Sequence, residues 1–152
     1  MTCDSSLYAL TNALQPVRRA WVQAATRQLA GSGLSTSLAT VVLLVSRLGA
    51  ATNQRALALE VGINPAALVR LLDHGEAAGV LVRNDVEGDR RSKVVELLPE
   101  GRRLALAMEE SLAALRQELL GELPDHDVET ATRVLRLLEE RSADWLSGNQ
   151  DR

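Results

Sequence analysis

Asp89-Arg90-Arg91-Ser92-Lys93 stands between two short apolar runs, residues 80–82 and 94–98, and Val86-Glu87-Gly88 lies just before it. Two strands around a polar, glycine-bearing tip are the pattern of a β-hairpin. Arg90, Arg91 and Lys93 lie on that tip or where the chain re-enters the sheet. On spacing alone, the same residues read equally as a solvated, charged turn. What lies upstream tips the balance, because the hairpin follows a helix–turn–helix pattern by only a few residues. That order outlines a winged helix, a fold that binds DNA.

The upstream pattern is built from local signals. Asn53 can cap a short helix, Gln54–Val61, and Gly62-Ile63 makes a tight turn. Asn64 can cap the next helix, with Pro65 at its favoured first position. Leu68, Leu71 and Leu72 form the buried stripe of this helix, and Gly79 stops it. Ala58 is small enough to let the two helices approach, and Gly62 suits the turn. Gly75 falls inside the second helix, where glycine costs about 0.5–1 kcal/mol relative to alanine. An early end or a bend near His74 is therefore expected.

Further helices flank this centre. Ser35 can cap Thr36–Leu48, which is apolar almost all round and so reads as buried. Before it, Leu7, Leu10, Leu14, Val17, Trp21 and Ala24 recur three and four apart, the seam of a helix that packs on another helix. Pro16 is expected to kink or break that helix. After the hairpin, Pro99 opens a long helix with the stripe Leu104, Met108, Leu112, Leu115 and Leu119. Residues 121–127 read as a loop around Pro124. Val128, Ala131, Leu135, Leu138, Ser142 and Trp145 mark a last helix, and residues 148–152 are expected to fray.

The fold class is thus mainly α with a small β-hairpin wing, in one domain spanning 1–152. Residues 35–98 form the winged-helix part, and residues 1–34 and 99–152 form helical parts. The seams of the outer helices need a cover that one subunit does not supply. A two-fold homodimer through Leu7, Leu10, Leu14, Val128, Leu135, Leu138 and Trp145 is expected.

The formal net charge is −3, which argues against a protein that coats nucleic acid indiscriminately. Any DNA contact must come from how charge is arranged. Cys3 is the only cysteine, so no internal disulfide forms. The opening residues lack the basic and apolar regions of a secretory signal, and the longest apolar stretch, 38–45, is too short to span a membrane. A cytoplasmic location is expected. His126, in Asp125-His126-Asp127, reads as part of a solvated turn rather than as a metal ligand. There is no glycine-rich phosphate loop and no nucleophile–base pair, so neither enzymatic activity nor a cofactor is expected.

Over nearly its whole length the sequence resembles the MarR family of bacterial transcriptional regulators. The resemblance is carried by residues 53–58 through Gly62, residues 64–73, Gly79, residues 89–93 and Leu97-Leu98-Pro99-Glu100-Gly101-Arg102. Asp89, Arg91 and Lys93 meet the family's wing pattern Asp-x-Arg-x-Lys.

The resemblance implies that Arg91 enters the minor groove with Asp89 orienting it, and that Arg90 and Lys93 complete the wing. It implies that Asn64, Pro65, Ala66, Ala67, Arg70 and His74 form the recognition helix on double-stranded DNA, with Asn53, Gln54 and Arg55 at the DNA backbone. It implies a small-molecule effector pocket between the dimer helices and the winged helix, where Trp21 suits a flat aromatic ligand. Some members of the family sense oxidants through an N-terminal cysteine; Cys3 is the candidate here, although Asp4 beside it disfavours a thiolate.

Three residues depart from the pattern. Gly75 stands where the family has an apolar residue, and Leu98 where a threonine often precedes Pro-Glu-Gly. Ala66 and Ala67 stand where serine or threonine is common. Methyl contacts to thymine then carry more of the readout. The implied function is a homodimeric repressor released from a palindromic operator by a small ligand. The acidic balance, Ala66, Ala67 and Gly75 keep open an alternative: a helical dimerisation or partner-binding protein with little DNA binding.

Overall fold

The computed structural model describes residues 3–49, 52–86 and 88–148, without the side chains of Cys3, Asp4, Arg90 and Arg91. In chain order it contains α1 (Cys3–Leu29), a 3-10 turn (Ala30–Ser32), α2 (Thr36–Leu48), β1 (Thr52–Asn53), α3 (Gln54–Val61) and α4 (Pro65–Ala77). β2 (Leu81–Val86), β3 (Asp89–Leu97), α5 (Pro99–Leu120) and α6 (Asp125–Gly148) follow. Mostly helical, with a small three-stranded antiparallel sheet, this is the winged-helix architecture. The expected fraying falls largely on residues 149–152, outside the described residues.

α2 supplies the middle of the core. Ser35 Oγ accepts the Leu38 N–H at 3.3 Å, and the helix buries Leu38, Ala39, Val41, Val42, Leu43 and Val45. Around it gather Leu57 and Ala58 from α3, Leu68 and Leu72 from α4, Val80, Leu81, Val95 and Leu97 from the hairpin root, and Ala105, Met108, Leu112 and Leu115 from α5. The core is aliphatic, as a chain without phenylalanine requires. Of the expected α5 stripe, Leu104 is half-buried and Leu119 is exposed.

The sheet is larger than the sequence suggested. Nothing in the sequence marks a strand before α3, yet Thr52 and Asn53 form β1, paired with Val95 and Val94 in the strand order β1-β3-β2. Two residues are too few to show alternation, so the strand had no sequence signal. Thr52 is buried, and its hydroxyl donates to the Gly49 carbonyl at 2.9 Å. β2 and β3 also outrun their apolar segments, pairing from Leu81 with Leu97 out to Asp85 with Lys93 before the register shifts at Val86. Apolar residues mark only the buried root of the hairpin. Its outer half is held by backbone pairing, to which hydropathy is blind.

The expected break at Pro16 and the expected early end near His74 do not occur. α1 runs through Pro16 without interruption. Residues 11–20 are all exposed, so the carbonyl that Pro16 leaves unpaired can reach water. α4 likewise continues past His74 and Gly75 to Ala77. Gly75 is buried where a Cβ would stand 2.7 Å from both Cγ and Cδ2 of Leu81 and 3.2 Å from Leu38 Cδ1. The glycine lets α4 seat against β2 and α2, and this packing outweighs its weak helix propensity. The helix closes as expected near Gly79, whose φ of 68° turns the chain so that the Val80 N–H reaches the Gly75 carbonyl at 3.0 Å.

Gly101 accounts for the third residue of Pro99-Glu100-Gly101. A Cβ there would meet the Val80 carbonyl oxygen at 1.9 Å. That carbonyl also accepts the Leu98 N–H at 3.0 Å. The first turn of α5 thus lies directly on the α4–β2 junction.

The chain resolves into two compact units, residues 1–115 and 116–152. In the second, α6 begins inside the expected loop, at Asp125. Asp125 and Asp127 in its first turn suit the positive end of the helix dipole. His126 is exposed, with Nδ1 3.1 Å from Asp127 Oδ1. No described residue of α6 is buried. Among the described residues, no single helix is long and apolar enough to cross a membrane.

Candidate nucleic-acid interface

The two helices that would meet DNA are set by their caps. Asn53 Oδ1 accepts the N–H groups of Arg55 at 2.8 Å and Ala56 at 3.3 Å. α3 ends at Gly62, in the left-handed conformation, whose N–H bonds the Ala58 carbonyl at 3.0 Å. Asn64 Oδ1 then accepts the Ala67 N–H at 2.8 Å, and Pro65 opens α4. Both asparagines expected at DNA therefore serve first as helix caps. In each, the cap uses the oxygen, and the amide NH2 is the group suited to a phosphate.

Leu68 and Leu72 are fully buried and so fix the rotation of α4 about its axis. Asn64, Pro65, Ala66, Arg70 and His74 are exposed, and Ala67 is half-buried. Arg70 makes no ion pair among the described residues. Val69, which the sequence reading did not single out, is also 37% exposed on α4. Its position, three residues after Ala66 and beside Arg70, was the available signal.

The hairpin and the helix pair face a common hollow of about 740 Å³. Asn53, Gln54, Arg55, Pro65 and Leu68 line it from one side, and Asp89, Ser92 and Lys93 from the other. The expected backbone-contact set and part of the wing are thereby brought together. Ser92 Oγ donates to Asp89 Oδ2 at 2.6 Å, and Lys93 is paired with Asp85 across the hairpin. Arg90 and Arg91 lie in β3, but their side chains fall outside the described residues, as does the expected Asp89–Arg91 contact.

A clamp on the other side of the hairpin had no counterpart in the sequence reading. Arg83 Nη2, on β2, lies 2.5 Å from Asp73 Oδ1 and 2.5 Å from Glu76 Oε2, both on α4. The Arg83 backbone N–H also donates to Glu76 Oε1 at 2.9 Å. The hydrogen bond from Arg83 holds the Glu76 carboxyl below the usual carboxylate range, and the same contact raises the Arg83 guanidinium.

The remaining candidates are dispersed. A hollow of about 350 Å³ opens between the end of α1 and α5, lined among others by Gln28, Leu29, Ser32, Leu104, Met108 and Ser111. Trp21 lies on α1 before this hollow, is partly exposed and does not line it. Leu7 and Leu14 on α1 are exposed and Leu10 is half-buried; on α6, Val128, Leu135 and Trp145 are exposed and Leu138 is half-buried. Cys3 is the first residue of α1, and its side chain is outside the described residues.

No family model matches the sequence. Solved structures do match the fold. The transcriptional regulator PA3341 is 31% identical, with a TM-score of 0.79 over 88% of this chain and 98% of its own. CouR from Rhodococcus jostii RHA1, bound to p-coumaroyl-CoA, is 26% identical, with a TM-score of 0.72 over 85% of this chain and 90% of its own. A mutant MarR from E. coli complexed with operator DNA has a TM-score of 0.73 over 91% of this chain and 99% of its own. At 19% identity, that last likeness is one of fold. Further structures described as MarR-family regulators share the architecture.

Proposed function

The chain belongs to the MarR family of winged helix-turn-helix transcriptional regulators, and from that premise we propose that it is a homodimeric, sequence-specific repressor released from a palindromic operator by a small molecule. The observation that carries the reading is the hollow between the helix pair and the hairpin, where Asn53, Gln54 and Arg55 face Asp89, Ser92 and Lys93. Pro65 also lines it, and α4 exposes Ala66, Val69 and Arg70 to solvent.

On this reading the N-terminal half of α4 enters the major groove. Arg91 enters the flanking minor groove, where a narrow groove concentrates negative potential. The start of α3 meets the sugar–phosphate backbone, where the helix dipole and the Asn53 amide NH2 favour an anion. Exposed apolar residues on α1 and α6 supply the dimer contacts, and two-fold symmetry makes the operator palindromic. The hollow between α1 and α5 falls within the size range of small-molecule sites, roughly 300–1,000 Å³. The complex of CouR with p-coumaroyl-CoA supports a small-molecule effector. An effector that binds better to a dimer with altered spacing of its winged helices would shift the population away from the DNA-fitting state.

Selection of binding sites from randomised duplex DNA tests the reading. Wild-type protein is expected to enrich a palindrome, with affinity falling as salt rises. Arg70→Ala is expected to relax one base pair per half-site, by about 1–3 kcal/mol for a bidentate guanine contact. Failure of the wild type to enrich any palindrome overturns the proposal.

A further inference from the structure

α4 carries acidic residues where a nucleic-acid surface should carry none. Asp73 is exposed on the same face as Ala66 and Arg70. It follows Arg70 by three residues, which makes the two neighbours on the helix surface. Left alone, Asp73 would draw the Arg70 guanidinium to itself and present a negative charge toward phosphates. Glu76, the last residue but one of the helix, adds a second carboxylate.

Arg83 takes both. Its Nη2 is 2.5 Å from an oxygen of each carboxylate, and its own N–H holds the second oxygen of Glu76 at 2.9 Å. Arg83 stands on β2, which packs against α4, so it pulls the two charges toward the sheet and away from Arg70. Its side chain is 21% exposed against 54% for Asp73. The cation is therefore partly sheltered, and the carboxylate turned to it is the more solvated partner.

We propose that Arg83 is a positioning residue for DNA recognition: it masks Asp73 and Glu76 and so keeps Arg70 available to the operator. The inference rests on the DNA-binding reading given above. It differs from a simple brace between helix and hairpin. A brace works through its bonds, whereas a mask matters only while there are carboxylates to mask.

Operator affinity and its salt dependence separate the two. Arg83→Ala is expected to weaken binding about tenfold and to reduce the salt slope by about 0.9, the loss of one phosphate-equivalent contact. The triple variant Arg83→Ala/Asp73→Asn/Glu76→Gln is expected to recover both to within about threefold of wild type. The double variant Asp73→Asn/Glu76→Gln, which keeps Arg83, is expected to bind as wild type does; it decides the matter if Arg83→Ala does not fold. In an Arg70→Ala background, the cost of Arg83→Ala should shrink. If the triple variant stays as weak as Arg83→Ala, or the double variant is equally weak, Arg83 is a brace and the proposal is overturned. A wild type that selects no operator overturns the DNA-binding reading and this inference with it.

Discussion

Gly101 touches the carbonyl of Val80: an added Cβ would lie 1.9 Å from that oxygen and 2.9 Å from its carbon. The obstruction is backbone, so no rotamer change relieves it. The same carbonyl accepts the Leu98 N–H, the bond that brings α5 away from the sheet. Gly101→Ala is therefore expected to destabilise the fold by at least the cost of an overpacked core, about 1–3 kcal/mol. Urea unfolding of the variant checks this. A midpoint equal to that of the wild type would show that α5 can retreat from Val80 without loss.

The pH dependence of stability should report Glu76. Arg83 holds its carboxyl below the ordinary value of 4.5, so the folded chain binds that proton less tightly than the unfolded chain. The ion pair thus contributes fully above about pH 4.5, and its contribution is lost as pH falls through the lowered value. Wild type should exceed Glu76→Gln in stability at neutral pH, and the gap should narrow under acid. Urea midpoints measured across that range test the sign; a gap that stays constant would remove Glu76 from the titration.

Leu135 and Leu138 lie on α6, where no described residue is buried. Replacing both with glutamate should place charge in the proposed dimer seam. Sedimentation at micromolar concentration is expected to find a wild-type dimer and a monomeric, less stable variant. A well-folded wild-type monomer would refute the dimer.

The wing residues should not be equivalent. Lys93 is engaged with Asp85 across the hairpin, so its charge is already partly compensated. Arg91, by the family resemblance, is the cation of the minor groove. Arg91→Ala should cost more operator affinity than Lys93→Ala and should flatten the salt dependence further. The reverse order of losses would count against a minor-groove role for Arg91.

Much of this architecture was legible from residues that act locally. Ser35, Asn53 and Asn64 cap the helices they were expected to cap, because capping depends on a side chain and the next three residues. Pro16 and Gly75 misled for a related reason. Each weakens a helix locally, but water satisfies the backbone around the first, and long-range packing against Leu38 and Leu81 requires the second. β1 and the Arg83 clamp were invisible because both depend on partners distant in the chain. Arg83 is ten residues from Asp73 and seven from Glu76, and no spacing rule couples a strand to a helix at those offsets. Val69 was passed over because an exposed valine on a helix carries no chemical signature of its own.

The contact at Gly75 leaves no slack between α2, α4 and β2. With Leu38 within 3.2 Å and Leu81 within 2.7 Å of where a Cβ would be, the three elements mesh like gear teeth. A push on α2 cannot be absorbed there, because tightly packed interiors yield very little. Such a push is expected to move α4 and the root of the hairpin together, as one lever, with the spacing between them held constant.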